Sequence, residues 1–137
     1  MQQNDLLQRL SEMITTVPAR EANGIHLVAA EPDSVTNEME IMPFHRNIHG
    51  ILHGGYILLL ADCAAGLTAY TDGRSYVTQS QNFNFLRSVA SGKVRATGKV
   101  VHRGRTVVVV RVQVTDEAGR LLGDGTFNMF VVGQGKA

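Results

Sequence analysis

Between Tyr56 and Tyr70 the chain carries a single charged residue, Asp62. Leu58, Leu59, Leu60, Ala61, Ala64 and Ala65 are strong helix formers, so the spacing predicts a helix from about Gly55 to Thr71, ended by the turn pair Asp72–Gly73. A helix that is apolar almost all round has no face to show to water and must be enclosed by other elements. It is too short to span a bilayer, which takes about 20 apolar residues. The fold must therefore supply a wrapper for a central rod.

The remaining sequence provides one. Ile25–Ala30 and Val35–Met42 read as strands, with Val35, Met39 and Ile41 on one side and Thr36, Glu38 and Glu40 on the other. Pro43–Leu52 reads as a loop. Tyr76–Leu86, Lys93–His102, Thr106–Thr115 and Arg120–Val132 read as long strands joined by short connections, which predicts an antiparallel meander. Asp5, Leu6, Leu7, Leu10, Met13 and Ile14 predict an N-terminal helix over about 5–16, stopped by Pro18. The expectation is one α+β domain over residues 1–137, its core at about 25–132, with a sheet wrapped round the helix.

Composition narrows the function. A formal net charge of +1 gives no global field for nucleic acid or a membrane surface. One cysteine, Cys63, builds no internal disulfide framework, and Met1–Leu10 has no apolar core of a signal peptide. The chain reads as cytoplasmic.

The chemistry concentrates where loop meets helix, at Asn47…His53-Gly54-Gly55 and Leu60-Ala61-Asp62. The first turn of a helix leaves backbone N–H groups unpaired and carries partial positive charge. Glycine lets a ligand approach that backbone, so the Gly54 and Gly55 amides could hold a carbonyl oxygen that gains negative charge. Alone, the same residues also describe a tight turn. Asp62 alters the balance, because a carboxylate inside a buried helix is costly and suggests function. Its bland alternative is an ion pair at a subunit contact. Gly54 and Asp62 are eight positions apart, about 12 Å along a helix. One chain cannot bring both to one carbonyl carbon, so a shared use of them requires at least a dimer with two symmetric sites.

With these residues in view, the chain from about Ile25 to Val132 resembles the hotdog-fold acyl-CoA thioesterases, in the branch typified by PaaI of phenylacetic acid degradation. The pattern Asn47…Gly50…His53-Gly54-Gly55…Leu60-Ala61-Asp62 carries the resemblance, supported by Thr78, Asn82–Arg87, Arg103–Arg105 and Gly123–Gly125. The resemblance implies a five- or six-stranded antiparallel sheet round the helix, dimers and commonly tetramers, and hydrolysis of acyl-CoA without metal or other cofactor. It implies that Gly54 donates its N–H to the thioester oxygen and that Asp62 of the partner subunit is nucleophile or general base. Asn47 would orient water or substrate, Thr78 would help position water or the carboxylate, and His53 would hold the loop or contact the thioester. Ser80-Gln81 departs from relatives that often have an acidic then an apolar residue, which leaves the acyl pocket open.

Other residues are weighed beside these. His45, His49 and His53 are four apart, but Pro43, Gly50 and Gly54 argue against one continuous helix, and no loop cysteine or carboxylate completes a metal set. Cys63 reads as a small buried residue, without a visible cationic partner. Arg87, Arg103 and Arg105, with Lys99, are candidates for the CoA phosphates, Arg103 and Arg105 first. Phe83 and Phe85 are expected at the core or an interface. An acyl-CoA binding module without turnover, and a hotdog hydratase or dehydratase, are the competing functions.

Overall fold

The computed structural model describes residues 3–133. At its centre lies α3, Gly54–Tyr70, and around it curves one six-stranded antiparallel sheet. The strands are β1 (His26–Glu31), β2 (Ser34–Glu40), β3 (Ser75–Phe85), β4 (Lys93–Arg103), β5 (Val107–Asp116) and β6 (Leu121–Gly133), in the spatial order β1-β2-β4-β5-β6-β3. This is the hotdog arrangement.

Alternation explains how the sheet grips the rod. Val108, Val110, Val112 and Val114 of β5 face inward and are fully buried, with Val94 and Ala96 of β4 beside them. They close on Leu60, Ala61, Ala64 and Ala65 of α3. β-branched residues suit such a half-buried pleated surface. Each fully buried Val or Leu contributes roughly 1.5–3 kcal/mol, so Leu60→Ala would cost about 2–5 kcal/mol through transfer and cavity terms. Gly98 fixes the closest approach of helix to sheet. A Cβ there would collide with Thr68 Oγ1 and crowd the Ala64 carbonyl at 3.2 Å.

Two expectations are corrected. β3 is not paired with β4 in a meander; it lies at the far edge against β6, Phe85 opposite Gly123 and Val77 opposite Phe130. The short connection over residues 86–92 crosses between them, pinned by Leu52 N–H to Val89 O (2.8 Å), Arg46 Nε to Ala90 O (2.9 Å) and Ile41 N–H to Gly92 O (2.9 Å). Length alone suggested a hairpin, but these donors hold the segment in its crossing path. At the N-terminus α1 covers Gln3–Met13, and a second helix, α2 (Pro18–Asn23), was not anticipated. Pro18 opens it, since the first helical position needs no N–H, and Gly24 closes it at φ 67°.

Strand β3 leaves one backbone edge unpaired in the single chain. Val77, Phe85 and Leu86 along or beside it are half exposed or more. No described helix is long and apolar enough to cross a membrane.

Candidate active site

The turn into α3 is built by two histidines. His53 is the N-cap, and its Nδ1 accepts the Gly55 N–H at 3.2 Å. Its carbonyl takes the Tyr56 and Ile57 N–H groups at 3.0 and 3.4 Å. Among the described residues the Gly54 N–H has no acceptor, so of the two glycine amides it is the free donor. A Cβ at position 54 would meet only the Phe85 ring, at 3.4 Å, which is ordinary contact. Packing within the chain therefore does not demand glycine there; it leaves room over the amide.

His45 supports that turn from below. It is fully buried, its Nδ1 accepts the Met42 N–H at 2.9 Å, and its Nε2 faces Asn23 Oδ1 at 3.1 Å. Nδ1 as acceptor places the proton on Nε2, which donates to Asn23. Burial pushes the ring's pKa down. The His45 carbonyl accepts the His53 N–H at 2.8 Å. The three histidines thus have separate surroundings: His45 is buried, His53 caps the helix, and His49 is exposed in the loop.

Asn47 folds the loop before the turn. Its Oδ1 accepts the His49 and Ile51 N–H groups at 2.9 and 3.4 Å. Among the described residues its Nδ2 has no acceptor. Asn47, Gly54, Phe85 and Arg87 border one cleft of about 330 Å³.

Asp62 opens on a different cleft, of about 460 Å³, bordered also by Arg20, Cys63, Tyr70, Thr78 and Met129. Here the expectation of a buried carboxylate is corrected: Asp62 is half-buried, because its side of α3 faces the open cleft beside edge strand β3. Thr78 Oγ1 donates to Asp62 Oδ1 at 2.6 Å. Among the described residues no cation lies within ion-pair distance of Asp62, so no internal salt bridge accounts for it.

The remaining candidates divide. Arg87 lies in the Gly54 cleft and is exposed. Arg103 is occupied elsewhere. Its Nη1 donates to Asp72 Oδ2 (2.6 Å), Ala69 O (3.0 Å) and Tyr76 Oη (3.2 Å), and its Nη2 to Asp33 Oδ1 (2.8 Å), so it closes the C-terminal end of α3. Arg105 is exposed near that end, its carbonyl accepting from Arg74. Cys63 has a cation the sequence did not reveal, Arg20, yet burial outweighs it and pushes the thiol's pKa up. Phe83 packs on Phe127 and Phe85, while Phe85 is exposed against Gly54. Arg20 itself was missed, for a lone arginine in a six-residue helix carries no periodic signal.

The thioesterase superfamily profile matches residues 49–122, the stretch from the turn through α3 to the start of β6. A 1,4-dihydroxy-2-naphthoyl-CoA hydrolase of Listeria monocytogenes is 30% identical over 106 residues, spanning 75% of this chain and 86% of that protein. A Streptococcus mutans protein crystallised with acetyl-CoA is 34% identical, with TM-score 0.79 over 82% of this chain and 91% of that one. The PaaI protein of the Escherichia coli phenylacetic acid degradation operon shares the fold, with TM-score 0.91 over 96% of both chains at 21% identity. The chain belongs to the thioesterase superfamily, as a hotdog-fold thioester hydrolase.

Proposed function

We propose that this protein hydrolyses acyl-CoA thioesters at two sites, each shared between two copies of the chain. The observation that carries the reading is the separation of the two reactive groups along β3. Thr78, near one end, touches Asp62; Phe85, seven residues on, touches Gly54. Those contacts are about 23 Å apart along a strand. Antiparallel pairing of two β3 edges about a two-fold axis near Gln81–Asn82 sets Thr78 opposite Phe85 of the partner subunit. Asp62 of one chain then faces Gly54 of the partner subunit, and the unpaired edge is satisfied in the same step.

In that arrangement the Gly54 N–H receives the thioester oxygen at the positive end of α3, where charge develops during attack. Thr78 occupies Asp62 Oδ1 and leaves Oδ2 to act, either on the carbonyl carbon or by taking a proton from water. The C–S bond breaks, and coenzyme A leaves as thiolate and collects a proton. In the first route water then hydrolyses the acyl-Asp62 anhydride; in the second the deprotonated water has itself formed the new C–O bond, so both release the free acid. Asn47 offers its Nδ2 donors to the substrate, His53 holds the turn, and Gly55 shapes it. Arg87, beside Gly54, is the best placed arginine for a CoA phosphate, with Arg105 a second charge. Val77 and Phe130, paired on the outer sheet face and 50% and 39% exposed, offer apolar surface for a tetramer.

Purified protein is offered a panel of acyl-CoAs while free thiol is followed. Turnover that disappears in Asp62→Asn supports the proposal. Tight acyl-CoA binding with no turnover across the panel would establish a binding module instead.

A further inference from the structure

The cleft that holds Asp62 also holds a cation that no part of the proposed reaction uses. Arg20, from α2, is 5% exposed. Among the described residues its guanidinium makes one hydrogen bond, from Nη2 to Asn37 Oδ1 at 2.7 Å, and no carboxylate lies within ion-pair distance. Asn37 is fully buried and does not itself line the cleft. The neighbouring Cys63 thiol is held in its neutral form by burial, so it supplies no counter-charge. Arginine stays protonated at any ordinary pH. Beyond Asn37 Oδ1, no oxygen acceptor among the described residues takes an Arg20 N–H, and Arg20 lines the cleft. A guanidinium with free N–H groups at the wall of a cleft is open to an acceptor from a ligand or from water.

The walls between Arg20 and Asp62 are of another kind. Met13, Ile14 and Val17 approach from the N-terminal segment, and Tyr70, Val77 and Met129 from the other side. A ligand lying in the cleft would meet apolar side chains along its length and a guanidinium beside them. Arginine's fork suits a carboxylate, which accepts two parallel N–H bonds, and serves a hydroxyl oxygen less fully.

We infer that Arg20 is a specificity-determining residue that receives an oxygen acceptor on the distal part of the acyl group. The substrate class is an acyl-CoA whose acyl part is apolar along its length and bears a carboxylate or hydroxyl away from the thioester. This rests on the acyl-CoA reading above. The competing account makes Arg20 a brace between α2 and β2, with water filling its free donors.

Two matched pairs separate these accounts: glutaryl-CoA against pentanoyl-CoA for the carboxylate, and 4-hydroxybenzoyl-CoA against benzoyl-CoA for the hydroxyl. The wild-type protein should prefer the oxygen-bearing member of at least one pair by roughly 10–100-fold in kcat/KM, the range of one charge-assisted bond. The pair that shows it identifies the acceptor. Arg20→Met should collapse the ratio within that pair toward one, and Arg20→Lys should keep part of it if the acceptor is a carboxylate. A brace predicts equal losses for both members and an unchanged ratio. Calorimetric Kd values for the same four compounds on Asp62→Asn give the ratio without turnover. Should no acyl-CoA be hydrolysed, the enzymatic reading fails, and the Kd ratios on the wild-type protein still decide the role of Arg20. Should Arg20→Met not fold, as circular dichroism would show, the wild-type and Arg20→Lys ratios decide. Wild-type indifference within both pairs overturns the inference.

Discussion

Thr78 Oγ1 donates to Asp62 Oδ1 across 2.6 Å, joining the edge strand of the sheet to the middle of its central helix. The bond fixes one carboxylate oxygen and so orients the other. Asp62→Asn should lower kcat by about 10²–10⁴, the usual contribution of a positioned acid or base, with little change in Tm. Thr78→Val should cost about tenfold, since only the orientation of the carboxylate is lost. Steady-state thiol release gives both numbers. Wild-type turnover in Asp62→Asn would end the assignment.

The free amide of Gly54 admits an unusually clean deletion. Gly54 is the first residue of α3, and His53 before it has φ −64° and ψ 133°, a conformation that tolerates a following proline. Gly54→Pro should therefore fold and lose the donor, with kcat reduced about 10²–10³. Co-assembly of Gly54→Pro chains with Asp62→Ala chains leaves one intact site in each mixed dimer. Random mixing should recover about a quarter of wild-type activity. No recovery in verified mixed dimers would show that the two groups act within one chain.

His45 predicts a pH response of the turn. Burial lowers its pKa, so its contribution to stability is complete above the unfolded value of about 6.5 and is lost as pH falls through the folded one. Protonation at Nδ1 must break the bond from the Met42 N–H. Hydrogen exchange, corrected for intrinsic rate, should show Met42 and His53 amides losing protection as pH falls below the unfolded histidine value of about 6.5, before the β5 amides do. Protection at Met42 that is lost only together with that of β5 as pH falls would remove His45 from this role.

Arg103 should matter for stability more than for substrate. It binds helix-end carbonyls and Asp72, with 21% and 19% of the two side chains exposed. Discounted for that exposure, Arg103→Met should cost about 2 kcal/mol, roughly 6 °C in Tm, by thermal unfolding. Asp72 keeps its charge despite burial, helped by bonds from Tyr76 and Arg74 and by Arg103, and Tyr76 is pushed up to about 12. Their contribution should fade as pH falls through the lowered Asp72 value, and again as pH rises from about 10 through that of Tyr76. Arg87→Ala, rather than Arg103→Met, should raise KM for acyl-CoA.

Much of this was legible beforehand. Apolar or alternating runs bounded by turn residues located all six strands to within about two residues, and the run of helix formers with its lone acid identified α3 and Asp62. Lateral order was not legible. Whether β3 turns back onto β4 or reaches across to β6 depends on what the connecting backbone bonds to, and Leu52, Arg46 and Ile41 are distant in sequence. Pro18 signals a break equally well as an end or a beginning, which concealed α2. Arg103 read as a first candidate for a CoA phosphate, since the end of α3 that it binds is some thirty residues away in sequence.

The edge strand has an evolutionary consequence. If β3 alone sets the span from acid to amide across the dimer, the reaction geometry is insulated from the walls of the Asp62 cleft. Met13, Ile14, Val17 and Arg20 all come from outside the sheet and from outside α3. Descendants of this chain could exchange those four residues, and with them the range of acids released, while the chemistry is inherited unaltered.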